Sequence, residues 1–200
     1  QFPKHVHWWE TVAPYVDQAS PLRTAHLRAP QEMQTRFAQE CFIDEVAHSS
    51  NLDPVAFRLK YIKEPREKEI LEAVAKKFSG DSNYKPKKSG DTYTGRGVAL
   101  YNGYQSFAAV ACEVEVNKKT GRVWVKRIVV GMDCGLVINP MGVRAALEGQ
   151  IMQGISRALY EEVKFDDQRV TSVDWNTYRI ASMKDVPGKI DIVILNRPEK

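Results

Sequence analysis

No apolar run in this 200-residue chain approaches the roughly 20 residues that a helix needs to cross a bilayer, so no transmembrane segment is predicted. The start at Gln1 shows neither the basic nor the apolar part of a secretory signal peptide. Cysteine is scarce: Cys41, Cys112 and Cys134 form an odd, widely spaced set, which predicts no disulfide framework. Cytoplasm and periplasm are both compatible with these absences.

A strong charge of one sign is also missing. The chain has 29 basic and 25 acidic residues, for a formal net charge of +4. The lysines at 85–88 and 118–119 fall in loop-forming stretches and do not alternate with aromatic residues as on a nucleic-acid-binding face. We therefore expect no nucleic-acid partner, and the 43% hydrophobic content is that of an ordinary globular protein.

Helical periodicity is present over residues 31–79. Met33, Phe37 and Cys41 recur at i, i+4 and i+8, which predicts a first helix whose apolar face is buried in the core. Two further helices are each opened by a proline at the first helical position. The Ser-, Gly- and Lys-rich stretch 80–92 has no apolar period and predicts a linker.

Residues 93–200 show the alternation that is typical of strands. The segments 106–116 and 122–130 flank a turn-forming Asn-Lys-Lys-Thr-Gly stretch and predict a hairpin. The valines of its first segment are expected on a buried face, and the glutamates in solvent. An Asn-Pro step opens a long helix over 139–162, and 189–195 predicts a final strand. The sequence therefore predicts an α+β fold: a helical lead-in, then a mixed sheet whose antiparallel hairpin packs on a long helix.

A few residues could carry chemistry by themselves. Cys134 has no histidine or cation beside it that would activate a nucleophile, so a buried packing thiol is predicted. Arg28 precedes the helix start at Pro30, where a guanidinium and unpaired backbone N–H groups suit an anion; a solvated arginine is the alternative. His5 and His7 share one side of an extended chain, but spacing places no third ligand, and no metal site is predicted.

Residues 21–62, 95–163 and 176–200 resemble the molybdopterin-binding large subunit of the molybdenum hydroxylases, the xanthine dehydrogenase and aldehyde oxidase family. The most specific stretch joins the strand hairpin to Asp-x-Gly, Ile-Asn-Pro and the pattern Glu-Gly-x-x-x-Gln-Gly-x-x-x-Ala-Leu over 148–159. The short Leu-Arg-Ala-Pro-Gln form at 27–31 is similar to that of the nicotinate and isoquinoline oxidoreductase-like members. The resemblance falls in the C-terminal part of that large subunit.

The resemblance implies roles for particular residues. Arg28 is expected to be the active-site arginine beside the molybdenum, and the backbone of Leu27 and Arg28 is expected to approach the cofactor. Ala146 stands where many members have a glutamine that touches the pterin, and Gly149 is expected to bind the cofactor as well. Family members continue into a Gly-x-Gly-Glu segment whose glutamate is the general base, and residues 1–200 do not contain it.

The resemblance also implies an organisation and a function. Residues 1–30 are expected to be the tail of an upstream cofactor-binding domain, 31–79 a helical segment, 80–92 a linker and 93–200 an incomplete C-terminal molybdopterin-binding domain. The complete protein is expected to use molybdopterin and to hydroxylate a heteroaromatic compound or oxidise an aldehyde, with water as oxygen source. Its expected partners are an iron–sulfur subunit and the upstream part of its own chain.

The same resemblance bears on what these residues do by themselves. Without the general base, the 200-residue chain is expected to be inactive alone. The alternative is a naturally short, non-catalytic relative that binds an iron–sulfur partner subunit or assists assembly.

Overall fold

The computed structural model describes residues 6, 8, 10, 32–79 and 87–198. Three helices come first, then a sheet, a long helix and a last strand. The elements are α1 (Glu32–Ser49), α2 (Pro54–Tyr61), α3 (Pro65–Phe78), β1 (Lys88–Ser89), β2 (Thr92–Gly103), β3 (Ser106–Asn117), β4 (Val123–Asp133), α4 (Pro140–Leu159), a short 3-10 turn (Met183–Asp185) and β5 (Lys189–Ile194). The predicted α+β fold with its helical lead-in is confirmed.

The sheet has five strands in the order β1-β2-β3-β4-β5. Neighbouring strands are antiparallel except β4 and β5, which are parallel, so the sheet is mixed as predicted. The hairpin of β3 and β4 is confirmed. Its turn is held by the Asn117 side chain, whose Oδ1 accepts hydrogen bonds from the backbone N–H groups of Lys119 and Thr120 at 3.0 Å each.

Both faces of the sheet are covered in its middle. On one face, Ile151 and Ile155 of α4 pack with Val110 of β3, as the alternation of β3 predicts. The opposite face is expected in solvent, and that prediction is wrong where Ala109 and Ala111 lie under α3. Small alanine side chains let a helix approach the strand closely, and the alternation of valine with glutamate further along β3 does not reveal this.

Towards the other end of β3 the covered face becomes polar. Glu113 is not free in solvent, because its carboxylate lies 2.8 Å from the Arg96 guanidinium and both side chains are about four-fifths buried. The Arg96 guanidinium also lies 4.8 Å from the centre of the Phe78 ring at the end of α3. Glu113 therefore forms an ion pair beside the end of α3 and is not a solvent-exposed position.

The first helix faces opposite to the predicted direction. Met33 is 39% exposed, Phe37 is 73% exposed and Cys41 is exposed as well. The buried residues of α1 are Glu40, Ile43 and Ala47. The prediction that the Met33–Phe37–Cys41 face packs into the core is therefore wrong.

A buried carboxylate explains this orientation. Glu40 accepts a hydrogen bond from Arg58 Nε at 3.1 Å and another from the backbone N–H of Leu100 at 2.9 Å. Leu100 lies on the part of β2 that has no neighbouring strand on its β1 side, so α1 supplies the partner that this sheet edge lacks. Turning the apolar face inward would remove these contacts from groups that are already buried.

Part of the predicted linker 80–92 has regular structure. Lys88 and Ser89 pair with the start of β2 in a short antiparallel hairpin, and Gly90 turns the chain with φ +57°. The two-residue strand is exposed, so it leaves no hydrophobic signal in the sequence. Residues 80–86 lie outside the described part of the chain.

The turn between β2 and β3 is strained. Tyr104 has φ +49° and Gln105 has φ +59°, and both lie in the left-handed region that favours glycine or asparagine. A two-residue hairpin turn in which both central residues have positive φ is best made by Asn-Gly. The tip is nevertheless held firmly, because Arg36 Nη2 donates a hydrogen bond to the carbonyl oxygen of Asn102 at 2.7 Å.

Relieving this strain should stabilise the chain. We expect Tyr104→Asn with Gln105→Gly to raise the free energy of unfolding by about 1–2 kcal/mol in total. Each of the two strained residues costs at least about 1 kcal/mol, but part of that gain is offset by the greater chain freedom that glycine loses on folding. Urea unfolding followed by circular dichroism measures the difference. The matched control is Lys118→Asn with Lys119→Gly, in a turn where those two residues do not have positive φ. A stability equal to or below that of the unchanged chain would contradict this account of the turn.

Candidate functional site

A buried carboxylate lies where β4 ends. Asp133 is fully buried, and it accepts hydrogen bonds from Arg66 Nε at 3.1 Å and from Arg197 Nε at 2.9 Å. Burial by itself would raise the pKa of Asp133. The hydrogen bonds from Arg66, Arg197 and the backbone N–H of Gly135 outweigh that effect and lower the pKa to about 2. Asp133 is therefore an anion bound by two arginines and not a free general base.

The same cluster fixes the loop that leads into α4. Gly135 takes φ +83° and donates its backbone N–H to Asp133 Oδ1 at 3.2 Å. After β5 the chain returns to this loop: Asn196 Oδ1 accepts from the backbone N–H of Val137 at 2.8 Å, and the backbone N–H of Arg197 donates to the Gly135 carbonyl at 3.0 Å. The end of β4, the loop at Gly135 and the segment after β5 are therefore joined by hydrogen bonds just before α4 begins.

The start of α4 follows directly from the sequence. Asn139 is the N-cap, and its Oδ1 accepts from the backbone N–H of Gly142 at 2.9 Å. Pro140 occupies the first helical position, where its missing N–H has no consequence. The predicted long helix over 139–162 is confirmed, and α4 ends at Leu159.

The first half of α4 is exposed over most of its surface. None of the residues in 140–150 is buried, and the first buried position of the helix is Ile151. Just before and inside the first turn, Ile138 is 88% exposed and Met141 is 74% exposed. This half-helix thus offers an open surface except along Val143 and Leu147, which are half-buried, while the second half is anchored by Ile151 and Ile155.

Ala146 and Gly149 both lie on this open half and are both exposed. A Cβ atom added at Gly149 would meet no other atom within 4 Å. The surface around these residues can be approached closely, and Ala146 and Gly149 add no charge to it. Leu27 and Arg28, the other residues of the predicted site, lie outside the described part of the chain, and their place beside Ala146 and Gly149 stays a prediction.

The family profile described as "Molybdopterin cofactor-binding domain" matches residues 15–187. The chain belongs to this family. A nicotinate dehydrogenase polypeptide of Pseudomonas putida is 34% identical over 194 residues, which cover 91% of the chain and 16% of that protein. The beta chain of isoquinoline 1-oxidoreductase from Brevundimonas diminuta is 32% identical over 180 residues, which cover 86% of the chain and 22% of that protein.

A solved structure agrees with the fold. The aldehyde oxidoreductase from Desulfovibrio gigas superposes with a TM-score of 0.71 over 87% of this chain and 36% of its own, at 13% sequence identity. At that identity the superposition shows the fold alone. The chain thus spans 16% and 22% of the two sequence relatives, a small part of each.

The thiols of this molybdopterin-binding domain show no arrangement for nucleophilic catalysis. Cys134 is half-buried, as is Cys112, and burial raises the pKa of the Cys112 thiol. A raised pKa disfavours the thiolate that a nucleophile requires. Cys134 is half-buried and not fully buried as predicted, and Cys41 is exposed.

The described residues contain neither a metal cluster nor a membrane-spanning helix. No group of three or more His, Cys, Asp or Glu side chains among them is arranged to hold a metal ion, and His5 and His7 lie outside that part. None of the helices among residues 32–79 and 87–198 combines the length and apolarity needed to cross a bilayer.

Sequence reasoning missed the Asp133 cluster. A polar residue that ends an apolar strand is a visible signal, but its partners are not. Arg66 and Arg197 lie 67 and 64 positions away, so only the fold brings them to Asp133. Arg66 belongs to the first turn of α3 and Arg197 follows β5, which places three elements around one carboxylate.

Proposed function

We propose that the chain is the C-terminal part of the molybdopterin-binding subunit of an oxidoreductase that hydroxylates a heteroaromatic compound or oxidises an aldehyde, with water as oxygen source. The family match over residues 15–187 carries this proposal. The names of the two relatives, nicotinate dehydrogenase and isoquinoline 1-oxidoreductase, favour a nitrogen heteroaromatic as the substrate. Electrons would leave through an iron–sulfur subunit, and these 200 residues would be inactive alone because they lack the general base.

The open half of α4 is where this chain would meet the cofactor. Ala146 and Gly149 leave room for a cofactor, since both are exposed and a Cβ atom added at Gly149 would meet no other atom within 4 Å. When bound, molybdopterin supplies the redox chemistry. Ala146 has no side-chain donor, so α4 would contribute close backbone packing there, and hydrogen bonds to the pterin would come from other residues.

Two further parts of the chain complete the proposal. Arg28 would hold an anionic group of the substrate or stabilise negative charge that develops on it, because a guanidinium presents fixed, permanently charged donors. The backbone at Leu27 would approach the cofactor. The Asp133 cluster would act by position only, since it fixes the loop from which α4 begins.

Filling the open face of α4 should exclude the cofactor. In the complete protein with its iron–sulfur partner, we expect Gly149→Leu to lower the molybdenum and pterin content about tenfold or more, because the new side chain occupies the surface that the cofactor approaches. The fold should survive, since leucine favours a helix over glycine by about 1 kcal/mol. Metal analysis and pterin fluorescence after extraction measure the loss.

The control for this variant is Ala158→Leu, at an exposed position in the anchored half of the same helix. It should keep the normal molybdenum content. If Gly149→Leu also keeps it, α4 is not a cofactor contact. If even the unchanged complete protein holds no molybdenum, the enzyme proposal fails and the non-catalytic relative becomes the better account.

Replacing Arg28 should lower the rate of the reaction without lowering the molybdenum content. We expect Arg28→Ala in the complete protein to keep its molybdenum but to lower kcat/KM by roughly a hundredfold or more, as for loss of a charged group that stabilises the transition state. Arg28→Lys should recover only part of the rate, because lysine lacks the fixed fork of donors. An unchanged rate with Arg28→Ala would remove Arg28 from the active site.

A further inference from the structure

One exposed face of α4 combines small residues with amide side chains. Ala146, Gly149, Gln150 and Gln153 are spaced at i, i+3, i+4 and i+7, which places them on one side of the helix. All four are exposed, and we call them the amide face of α4. This face contains both α4 residues that the proposed function places against the cofactor, and it adds two hydrogen-bonding side chains to them.

The two glutamines of the amide face differ in their surroundings. Gln153 already takes part in an interaction within the chain. Gln150 forms neither a hydrogen bond nor an ion pair with the part of the chain that the structure describes. A primary amide carries N–H donors and an acceptor oxygen. Gln150 can therefore direct these groups at a ligand without giving up a contact within the fold.

Helix geometry determines which surface the Gln150 side chain covers. Side chains on an α-helix lean toward its N-terminus, so a residue covers the surface over the turn that precedes its own Cα. Ala146 lies one turn before Gln150 on the same face. Its methyl group is too small to obstruct a longer side chain. The Gln150 amide is therefore directed to the side of Ala146, where the helix has no side-chain donor of its own.

We propose that Gln150 is a cofactor-binding residue of α4 and that its side-chain amide forms a hydrogen bond with the pterin ring of molybdopterin. The inference rests on the proposed function and deepens it. A pterin ring presents both hydrogen-bond donors and acceptors along its edge, and an amide can pair with either kind. A carboxylate at the same position would only accept, and an ammonium group would only donate. The amide face thus fits this part of the cofactor in its chemistry as well as in its open space.

Removing this amide should loosen the cofactor without weakening the helix. In the complete protein, we expect Gln150→Ala to release pterin about threefold to tenfold faster than the unchanged protein, as for the loss of one hydrogen bond. Alanine favours a helix at least as much as glutamine does, so the fold should be retained. Both proteins are kept in urea below the unfolding transition, and the bound pterin is measured by fluorescence after extraction at successive times. Circular dichroism monitors the fold in the same samples.

The control for this variant is Glu148→Ala. Glu148 is exposed and lies two residues before Gln150, and residues two apart on a helix do not face the same side. Its replacement removes a side chain of similar length from the same turn and should leave the release of pterin unchanged. Gln150→Glu should release pterin at least as fast as Gln150→Ala, because a carboxylate cannot donate a hydrogen bond.

The outcomes distinguish this inference from the proposed function. Equal release from Gln150→Ala and Glu148→Ala would overturn the inference, and so would normal retention of pterin by Gln150→Glu. In either case the proposed function would stand, provided that the unchanged protein contains molybdenum and Gly149→Leu loses it. A complete protein that contains no pterin would overturn both proposals. Faster release from both Gln150 variants, with Glu148→Ala unchanged, supports the assignment of Gln150.

Discussion

Replacing Asp133 with alanine is expected to lower the free energy of unfolding by about 3–5 kcal/mol, as for removal of one partner from a buried charge cluster. The carboxylate is fully buried and binds both Arg66 and Arg197. Without it Arg66 loses its carboxylate partner and Arg197 keeps only Glu69, and the loop at Gly135 loses its acceptor. Urea unfolding of the chain and of the variant measures the loss.

The matched control is Asp91→Ala. Asp91 forms an exposed ion pair with Lys119, whose side chain is 76% exposed. Exposed pairs contribute about 0–1 kcal/mol, so this variant should be almost as stable as the unchanged chain. A loss below about 1 kcal/mol for Asp133→Ala would show that the cluster is not a structural anchor.

The same carboxylate sets a pH dependence. The pKa of Asp133 is lowered to about 2 in the folded chain, against about 3.9 for an unfolded aspartate. A depressed pKa contributes stability that is fully present above the unfolded value and is lost as the pH falls through the folded value. The stability difference between the unchanged chain and Asp133→Asn should therefore be constant near neutral pH and shrink between about pH 4 and pH 2.

The second large effect is expected at Gly131 on β4. A Cβ atom there would meet Val74 Cγ2 and would lie 2.7 Å from Ile70 Cδ1, both on α3. Ile70 and Val74 are fully buried, so they have nowhere to move. We expect Gly131→Val to lower the free energy of unfolding by about 2–3 kcal/mol through overpacking, although valine suits a strand better than glycine.

Gly97 on β2 provides the comparison. A Cβ atom at Gly97 would meet nothing within 4 Å, and its φ is not positive. Gly97→Val should therefore be neutral or slightly stabilising. If Gly131→Val and Gly97→Val unfold at the same urea concentration, the close approach of α3 to β4 does not restrict the size of the residue at position 131.

Local signals predicted the elements that local chemistry determines. The β3–β4 hairpin follows from alternation and a turn-forming stretch, and α4 follows from an Asn cap and a Pro at its first position. Each of these signals acts within a few residues of the structure that it produces. The strained turn at Tyr104 shows the reverse, because nothing local favours left-handed φ at a tyrosine.

Local sequence patterns did not predict the structure that depends on long-range polar contacts. The spacing of Met33 and Phe37 predicted a buried face, but Glu40 is the residue that faces inward, because its acceptor oxygen serves Leu100, 60 positions away. A buried carboxylate that would lose its arginine and backbone partners outweighs the apolar pattern of the opposite face. The Asp133 cluster was hidden for the same reason.

For the candidate site, too, one part of the prediction came from the local sequence pattern and another part did not. Ala146 and Gly149 follow from the helical pattern of α4, and their exposure is a property of the fold. Their assignment to a cofactor comes from the resemblance to molybdenum hydroxylases and from nothing in the spacing itself. Arg28 rests on that resemblance as well, together with its place before a proline that starts a helical pattern.

The most direct test of this account is the molybdenum content of the complete protein, purified with the proposed iron–sulfur partner and measured by elemental analysis together with extracted pterin. We predict about one molybdenum and one pterin for each polypeptide, as for a cofactor held in a dedicated site. A protein that folds normally but contains neither molybdenum nor pterin would contradict the central claim.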